Sequence, residues 1–309
     1  MTPTGPRRGE LRLATRGSPL ALLQARRVAD RLAAAGGPAC ELVVVRTTGD
    51  ALAEVPIGQL AGQGVFVKEV QWAVLDGRAH AAVHSAKDLP SATPDGLVLA
   101  CVPERADPRD ALVGARLEDL APGATVATGS ARRRAQLAWL RPDLTFCDLR
   151  GNMATRVERA RRAGAGVLAL AALDRLGLTG HVAEALDART LLPQVGQGAL
   201  AVECRAAADD ATAALLAGID DAAAHDALRA ERAFLAELGG GCTLPVGALA
   251  TAGAGGALVL DGVMASRDGH VLVRHARAGP AGDPAGLGRR LARELLDERG
   301  GRSLEDWAS

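Results

Sequence analysis

The sequence predicts an α/β protein of two lobes with mainly parallel sheets, followed by a small α+β domain. In the first part of the chain, short apolar segments alternate with amphipathic helical segments, which is the pattern of βαβ units. This pattern occurs twice in succession. The last part differs, because one long helix precedes segments in which apolar and polar residues alternate, as they do in antiparallel sheets.

The first lobe begins with an apolar strand at residues 11–15. Ser18 and Pro19 then open a helix, since serine is a favoured N-cap and proline fits the first helical turn. Gly36 and Gly37 end that helix. The other elements predicted for this lobe are a helix at 65–75 and strands at 42–45, 79–84 and 97–102.

The second lobe repeats the scheme from a strand at 125–128. Ser130 is the predicted N-cap of a helix that reaches residue 140, and Asn152 is the predicted N-cap of a helix that reaches residue 163. Two further strands are predicted at 144–149 and 166–172.

The chain is predicted to cross between the lobes twice. The crossings are the segments 103–108 and 193–198, and residues 198–202 return to the first sheet. Two crossings imply a hinged cleft between two lobes. The predicted domains are residues 1–103 with 197–219, residues 104–196, and residues 220–309.

The third domain opens with a predicted helix over 221–238. Alternating segments after it predict an antiparallel meander with a hairpin turn at Asp268-Gly269, and a helix at 287–296 follows. The strands of this meander are expected at 246–249, 257–265 and 271–276.

Composition excludes several classes of protein. Lys and Arg together number 36, as do Asp and Glu, and aromatic residues make up only 2%, so neither a basic surface nor a base-stacking platform for nucleic acid is expected. The six histidines show no spacing with other ligands that would fix a metal site, so no metal is expected.

Cysteine usage and hydropathy indicate the compartment. Five cysteines, without a CxxC pair, favour a reducing environment over a disulfide framework. We recognise no signal peptide and no apolar run of membrane-spanning length. A cytoplasmic protein is predicted, and a monomer, because no strip of exposed apolar residues is evident.

One cysteine stands apart from the other four. Cys242 follows three consecutive glycines, which leave the approach to its sulfur free of side chains, whereas the other cysteines lie in apolar, strand-like segments typical of buried small hydrophobes. We interpret Cys242 as a thiol kept open for chemistry. The alternative is a helix-ending loop in which the cysteine is incidental.

Strand-to-helix junctions with an N-cap beside arginine predict an anion-binding edge. Such junctions gather where parallel strands end, and their free N–H groups favour anions, while arginine suits carboxylates. The residues concerned are Arg16 with Ser18, Ser130 with Arg132 and Arg133, Arg150 with Asn152, and the nearby Arg156 and Arg175. For any single arginine, the alternative is a solvated surface charge.

Lys87 and Asp88, which follow the predicted strand at 79–84, are candidate functional residues. Lys87 is one of only two lysines, and Asp88 is a carboxylate at a strand end that faces the predicted arginine-lined cleft. Asp88 is therefore a candidate for electrostatic catalysis. The alternative is an ordinary turn-forming aspartate before Pro90. The Gly196-Gln197-Gly198 triplet is too weak to indicate nucleotide binding.

Together these segments resemble the porphobilinogen deaminases, also called hydroxymethylbilane synthases, from about residue 11 to the final helix. The match is specific because several motifs occur in order and at compatible distances. They are residues 14–22, 66–69, 84–88, 104–110, 130–133, 149–152, 195–204 and 240–242. The resemblance implies two periplasmic-binding-protein-like lobes with mainly parallel sheets and a small α+β C-terminal domain.

The resemblance also implies an activity. Such transferases of tetrapyrrole (haem) biosynthesis add four porphobilinogen units head to tail to a covalently bound dipyrromethane, release ammonia each time and hydrolyse the chain to hydroxymethylbilane. Each pyrrole carries an acetate and a propionate, which suit clustered arginines. Asp88 matches the family's catalytic carboxylate, which stabilises the positive charge that develops as the amine leaves.

By the same resemblance, Cys242 carries the dipyrromethane cofactor through a thioether. The other residues implied for cofactor binding are Lys87, Thr128, Ser130, Arg132 and Arg133. The residues implied for substrate binding are Arg16, Ser18, Gln24, Arg150, Arg156 and Arg175. The Gly- and Pro-bearing segment 49–64 is interpreted, from composition only, as a cover over the cleft.

Two other functions remain open from the residues alone. A non-enzymatic, two-lobed anion-binding protein shares the architecture, although an export signal and a helix-turn-helix segment are both missing from the pattern. A cysteine-nucleophile acyl transferase would need a histidine base near Cys242, and His225 and His270 are the candidates by sequence distance.

Overall fold

The computed structural model describes residues 10–47, 67–206, 210–240 and 244–307. These residues divide into two compact units. The first contains the described residues of 10–105 and 199–225, and the second contains those of 106–198 and 226–307. The division into three domains stays a prediction.

Strands and helices are numbered in chain order. The strands are β1 (Glu10–Arg16), β2 (Ala39–Val45), β3 (Ala81–Ser85), β4 (Leu97–Cys101), β5 (Asp110–Val113), β6 (Thr125–Ala127), β7 (Thr145–Cys147), β8 (Ala165–Ala169), β9 (Val182–Ala185), β10 (Leu200–Arg205), β11 (Val246–Ala252), β12 (Ala257–Ala265) and β13 (Leu272–Pro280). The helices are α1 (Pro19–Ala34), α2 (Lys68–Leu75), α3 (Ala131–Leu140), α4 (Met153–Ala163), α5 (Leu170–Arg175), α6 (Asp210–Ala217), α7 (Ala222–Glu237) and α8 (Pro284–Arg293). None of the helices in the described part of the chain is long and apolar enough to cross a membrane.

The first unit is built on a five-stranded sheet in the order β2-β1-β3-β10-β4. β1 pairs in parallel with β2 and β3, whereas β10 pairs antiparallel with β3 and β4. The α/β fold class is confirmed, and this sheet is mixed because the returning strand runs against its neighbours. The predicted return of the chain to the first sheet is therefore observed in β10.

Helices cover both faces of this sheet. On one face Leu13 packs in a cluster with Val28 and Leu32 of α1, and on the other face Ala14 packs in a cluster with Val70 of α2. The successive residues Leu13 and Ala14 of β1 are thus both buried, as expected for a strand whose sheet is covered on both faces.

The start and the end of α1 follow from local chemistry, as predicted. The Ser18 side chain accepts a hydrogen bond from the Ala21 N–H, and Pro19 occupies the first helical position. Gly36 follows the helix with a φ of 81°, a conformation that glycine adopts without steric cost.

The second unit contains a sheet of the same kind, in the order β7-β6-β8-β5-β9. β6 pairs in parallel with β7 and β8, and β5 pairs antiparallel with β8 and β9. Leu137 of α3 packs on one face and Val157 of α4 on the other. Ser130 and Asn152 cap these two helices, as predicted.

Two strands of the second unit are clearly shorter than predicted. The predicted strand at 144–149 is limited to Thr145–Cys147 in β7. The segment 166–172 was expected to be extended, but β8 ends at Ala169 and α5 begins at Leu170. Pairing with β5 stops at the Asp110–Ala169 pair, and the Leu170 N–H bonds to the Arg109 carbonyl instead. Arg175 consequently lies at the end of a short helix and not in a loop after a strand.

A three-stranded antiparallel sheet, β11-β12-β13, completes the second unit and confirms the predicted meander. Phe234 of α7 and Leu291 of α8 pack against it. Gly262 has no side chain because a Cβ there would lie 2.9 Å from the Phe234 ring. Gly269, at the predicted hairpin turn, has a φ of 78°.

Candidate active site

In the first unit, two predicted site residues lie at neighbouring strand ends. Arg16 is the last residue of β1, and Asp88 ends the short 3-10 turn that follows β3. Because β1 and β3 are parallel neighbours, their ends lie together, and Arg16 Nη1 is 4.0 Å from Asp88 Oδ2. The Asp88 side chain is 38% exposed, so its carboxylate has a cation beside it and remains accessible.

Gln24 is committed to a partner inside the first unit. It lies on the buried face of α1, where its Nε2 donates to Ser85 Oγ at 2.8 Å and its Oε1 accepts from the same hydroxyl at 3.1 Å. Ser18 caps α1, and Lys87 is half-buried in the turn beside Asp88. Gln24 thus fixes α1 against the end of β3.

In the second unit, the predicted residues lie at the ends of the parallel strands. Thr128 follows β6, and its Oγ1 accepts from the Ser130 N–H at 3.3 Å. Ser130 Oγ in turn accepts from the Arg133 N–H at the start of α3. A Cβ at Gly129 would lie 3.8 Å from Arg150 Cζ, so the junction after β7 lies against the junction after β6.

A buried carboxylate organises the two arginines of α3. Asp110 is fully buried; Arg132 Nη2 donates to its Oδ2 at 2.7 Å, and Arg133 donates to its Oδ1 through Nη2 at 2.7 Å and Nε at 3.0 Å. Gln197 Nε2 donates to the same Oδ1 at 2.9 Å. Two guanidinium groups therefore share one carboxylate, and the cluster keeps an excess positive charge.

The protonation of Asp110 follows from this arrangement. Burial by itself raises the pKa of the carboxyl group, but the charges of Arg132 and Arg133 and the hydrogen bond from Gln197 outweigh burial, so the pKa lies far below its ordinary value. Asp110 is consequently ionised at neutral pH. It acts as an anchor for the arginines and not as a proton donor.

The remaining predicted arginines occupy different environments. Arg156 Nε donates to the Gly151 carbonyl at 2.7 Å, and Arg175 is buried, with Nη2 donating to the Gly198 carbonyl at 2.6 Å. Arg150 is half-buried, and its Nε has no hydrogen-bond partner among the described residues. The Arg150 Nε is therefore a buried donor whose hydrogen bond is unmet among the described residues.

A small cavity of about 20 Å³ adjoins the α3 arginines. Its walls include Ser130 and Arg132 on one side and Leu235 of α7 and Leu244 on the other. The Arg132 Nε is buried there without a hydrogen-bond partner among the described residues. A buried cationic donor beside a hydroxyl suits a carboxylate oxygen, and the cavity has room for the end of one acid arm of a dipyrromethane but not for a pyrrole ring.

Two predictions fall outside the described residues. Cys242 lies in the gap between Gly240 and Leu244, and the interpreted cover at 49–64 lies in the gap before Val67. The four described cysteines are free thiols. All lie in strands as predicted, but only Cys101 and Cys204 are buried, whereas Cys40 and Cys147, at the sheet-edge strands β2 and β7, are half-buried.

The thiols of Cys40 and Cys101 are poor nucleophiles. Burial, helped by the charge of Asp220, raises the pKa of Cys101 to about 12, and burial with the charge of Asp30 also raises the pKa of Cys40. A thiol with a raised pKa yields little thiolate at neutral pH. These cysteines therefore suit packing and not covalent catalysis.

The histidine candidates for an acyl-transfer base have other partners. His225 Nδ1 lies 2.9 Å from Asp220 Oδ1, and His270, which is 81% exposed, pairs with Asp268 in the β12–β13 hairpin.

Sequence reasoning overlooked Asp110 and Gln197 as site residues. Asp110 begins a strand whose other residues are all apolar and buried, so a charged residue at that position signals a specific partner. Gln197 was not assigned a role, because the Gly196-Gln197-Gly198 triplet lacks the spacing of a nucleotide-binding motif. Its position in a crossing segment was the available signal.

Comparison with known proteins agrees with the sequence resemblance. Residues 11–213 match the family described as porphobilinogen deaminase, dipyromethane cofactor binding domain, and residues 226–297 match porphobilinogen deaminase, C-terminal domain. The porphobilinogen deaminase of Roseiflexus castenholzii is 50% identical over 304 residues, which are 96% of this chain and 99% of the relative. That of Acidothermus cellulolyticus is 48% identical over 93% of this chain and 88% of its own. That of Moorella thermoacetica is 44% identical over 96% of both chains.

Proposed function

The chain belongs to the porphobilinogen deaminase family, and we propose that Asp88 is its catalytic carboxylate and that Cys242 carries its cofactor. The enzyme polymerises porphobilinogen with release of ammonia on a dipyrromethane cofactor, and hydrolyses the product to hydroxymethylbilane in tetrapyrrole biosynthesis. The roles of individual residues are argued below from their surroundings.

The pair of Asp88 and Arg16 is the observation that carries the proposal for catalysis. When the C–N bond of the protonated aminomethyl group of porphobilinogen breaks, ammonia leaves with the electron pair and the positive charge spreads over the pyrrole ring. A fixed, accessible carboxylate near the ring N–H stabilises that charge. Arg16 Nη1, 4.0 Å from Asp88 Oδ2, places a positive charge beside this carboxylate at the strand end.

Cofactor binding uses the second unit together with Lys87. We assign Thr128, Ser130, Arg132 and Arg133 to the carboxylate arms of the dipyrromethane, which when bound supplies the pyrrole carbon that receives the first substrate unit. The cavity beside Ser130 and Arg132 supports this assignment, because Leu244 in its wall lies two residues from Cys242.

Substrate binding uses residues that lie near strand ends or helix starts within each unit. We assign Arg16, Ser18, Gln24, Arg150, Arg156 and Arg175 to this role. The donors differ in what supports them. Gln24 and Arg175 donate to groups inside their own units, and the buried Nε of Arg150 has no hydrogen-bond partner among the described residues.

We further propose that the enzyme is a cytoplasmic monomer that binds neither nucleic acid nor membrane. Four free thiols among the described residues are compatible with a reducing compartment. A net charge of zero gives no electrostatic attraction for a polyanion. Sedimentation of the purified enzyme tests the monomer.

Intact-mass spectrometry of the purified enzyme tests the cofactor assignment. We expect a mass increment of two substituted pyrrole rings, located on the peptide that contains Cys242. Cys242→Ser should abolish the increment, while Cys40→Ser, at a half-buried thiol in β2, should keep it. Fully active protein of unmodified mass, or a stable increment on Cys242→Ser, would contradict the assignment.

A further inference from the structure

The segment Pro193 to Gly198 links two buried carboxylates of the second unit. Gly196 in this segment has a φ of 71°, and its N–H points to the side chain of Glu231 in α7. The next residue, Gln197, directs its side chain to Asp110. Adjacent residues of one short segment thus contact the helix that precedes the cysteine loop and the carboxylate that holds the α3 arginines.

Glu231 ties three parts of the chain together. It is fully buried, and its Oε2 accepts from the Gly196 N–H at 2.7 Å while its Oε1 accepts from the Ala250 N–H of β11 at 2.9 Å. Hydrogen bonds to an ionised acceptor are stronger than neutral ones. β11 also contacts the segment through a second hydrogen bond, in which the Ala248 N–H donates to the Pro193 carbonyl at 3.0 Å.

Gln197 connects Gly196 to the carboxylate that holds the arginines of α3. It is fully buried, and its Nε2 donates to the Pro108 carbonyl at 2.8 Å and to Asp110 Oδ1 at 2.9 Å. Asp110 Oδ1 is the atom that also accepts from Arg133. A shift of the segment at Gly196 therefore moves a donor on the oxygen that orients this guanidinium.

We propose that Glu231 is a positioning residue for the cofactor-binding arginines, acting through Gly196, Gln197 and Asp110. The inference rests on the proposed function, because the cofactor is what Arg132 and Arg133 are assigned to hold. Glu231 touches neither substrate nor cofactor in this proposal. Its effect is the orientation of the Arg133 and Arg132 guanidinium groups, which share the Asp110 carboxylate.

The exchange Glu231→Gln tests the relay with almost no change of shape. Both oxygens of Glu231 accept a hydrogen bond from a backbone N–H, but a glutamine has only one acceptor oxygen. Its NH2 group must therefore face the N–H of either Gly196 or Ala250, and that hydrogen bond is lost. We expect kcat to fall on the order of 10-fold or more, because a small misplacement of a positioning group is costly. The KM for porphobilinogen should stay within about twofold, because the displaced arginines hold the cofactor and not the incoming substrate.

A matched core variant separates positioning from loss of stability. Leu258→Ala removes side-chain volume from the hydrophobic cluster shared by α7 and β11 without touching the hydrogen-bonded relay. If Leu258→Ala lowers Tm by as much as Glu231→Gln does, it should still keep the kcat of the wild type. If Glu231→Gln unfolds, Glu231→Asp retains the charge, is too short to reach both N–H groups and carries the same expectation.

A double-mutant cycle with Gln197→Leu decides whether the two residues act as one unit. Each single variant should lower kcat, and the double variant should be no worse than the more damaging single one. Independent, multiplying losses would overturn the relay, and so would a Glu231→Gln enzyme whose kcat matches that of Leu258→Ala. If the wild-type protein lacks a dipyrromethane on Cys242, the cofactor assignment itself fails; if it carries one and the variants behave independently, only the relay fails.

Discussion

Arg16 Nη1 lies 4.0 Å from Asp88 Oδ2, where the parallel neighbours β1 and β3 end side by side. The distance favours charge attraction over a tight hydrogen bond, and both side chains remain partly exposed. The Asp88 carboxylate thus has a cation beside it without being enclosed. A carboxylate in this condition can meet a developing positive charge on a bound ring.

Replacement of Asp88 by asparagine should stop turnover without removing the cofactor. Asp88→Asn keeps the shape and removes the charge, so we expect kcat to fall on the order of 10²-fold or more while the intact mass still shows the dipyrromethane. Asp95→Asn, at an exposed aspartate of the same unit, is the matched control and should behave like the wild type. Near-normal turnover of Asp88→Asn would remove Asp88 from its role.

Asp110 should make the stability of the enzyme depend on acid pH. The pKa of Asp110 lies below its unfolded value, near ~3.9, so its contribution is fully present above that value and is lost as pH falls towards the folded pKa. The free energy of unfolding should therefore decline below about pH 4.5, by up to ~1.4 kcal/mol per pH unit for this one proton.

Asp110→Asn checks this by denaturant unfolding at several pH values. At pH 7 we expect a loss of about 3–5 kcal/mol, because Arg132 is left buried beside a neutral partner, and a flatter decline in acid than in the wild type. Asp143→Asn breaks an exposed pair with Arg141 and should leave the unfolding free energy at pH 7 almost unchanged. Equal acid slopes for Asp110→Asn and the wild type would contradict the argument.

The sequence predicted those parts of the fold that local chemistry determines. Ser18, Ser130 and Asn152 mark helix starts because their side chains replace a missing backbone acceptor, and the structure has all three caps. The end of β8 was missed because it depends on the length of its partner β5, which is distant in the chain. Apolar residues 170–172 fit a strand or a buried helix equally well.

Candidate site residues were predicted where they stand in a sequence motif, and were missed where their role depends on a buried contact. Asp88 and the arginines stand in recognisable motifs beside strand ends. Asp110, Gln197 and Glu231 were not found, because each serves a side chain or N–H group far away in sequence. Glu231 in particular lies in a long amphipathic helix, where an isolated glutamate normally indicates a solvated face.

Arg150 should contribute to binding of the substrate's carboxylates. Its half-buried guanidinium lies against Gly129 at the strand end, where a carboxylate would gain a charge-assisted hydrogen bond. Removing such a bond typically costs ~1.5–3 kcal/mol, so Arg150→Gln should raise the KM for porphobilinogen by about 10- to 100-fold in steady-state assays. Arg162→Gln, on the exposed side of α4, supplies the same change of charge and should leave KM unchanged. If the two variants have equal KM values, the effect of Arg150 is long-range charge, and the direct contact is excluded.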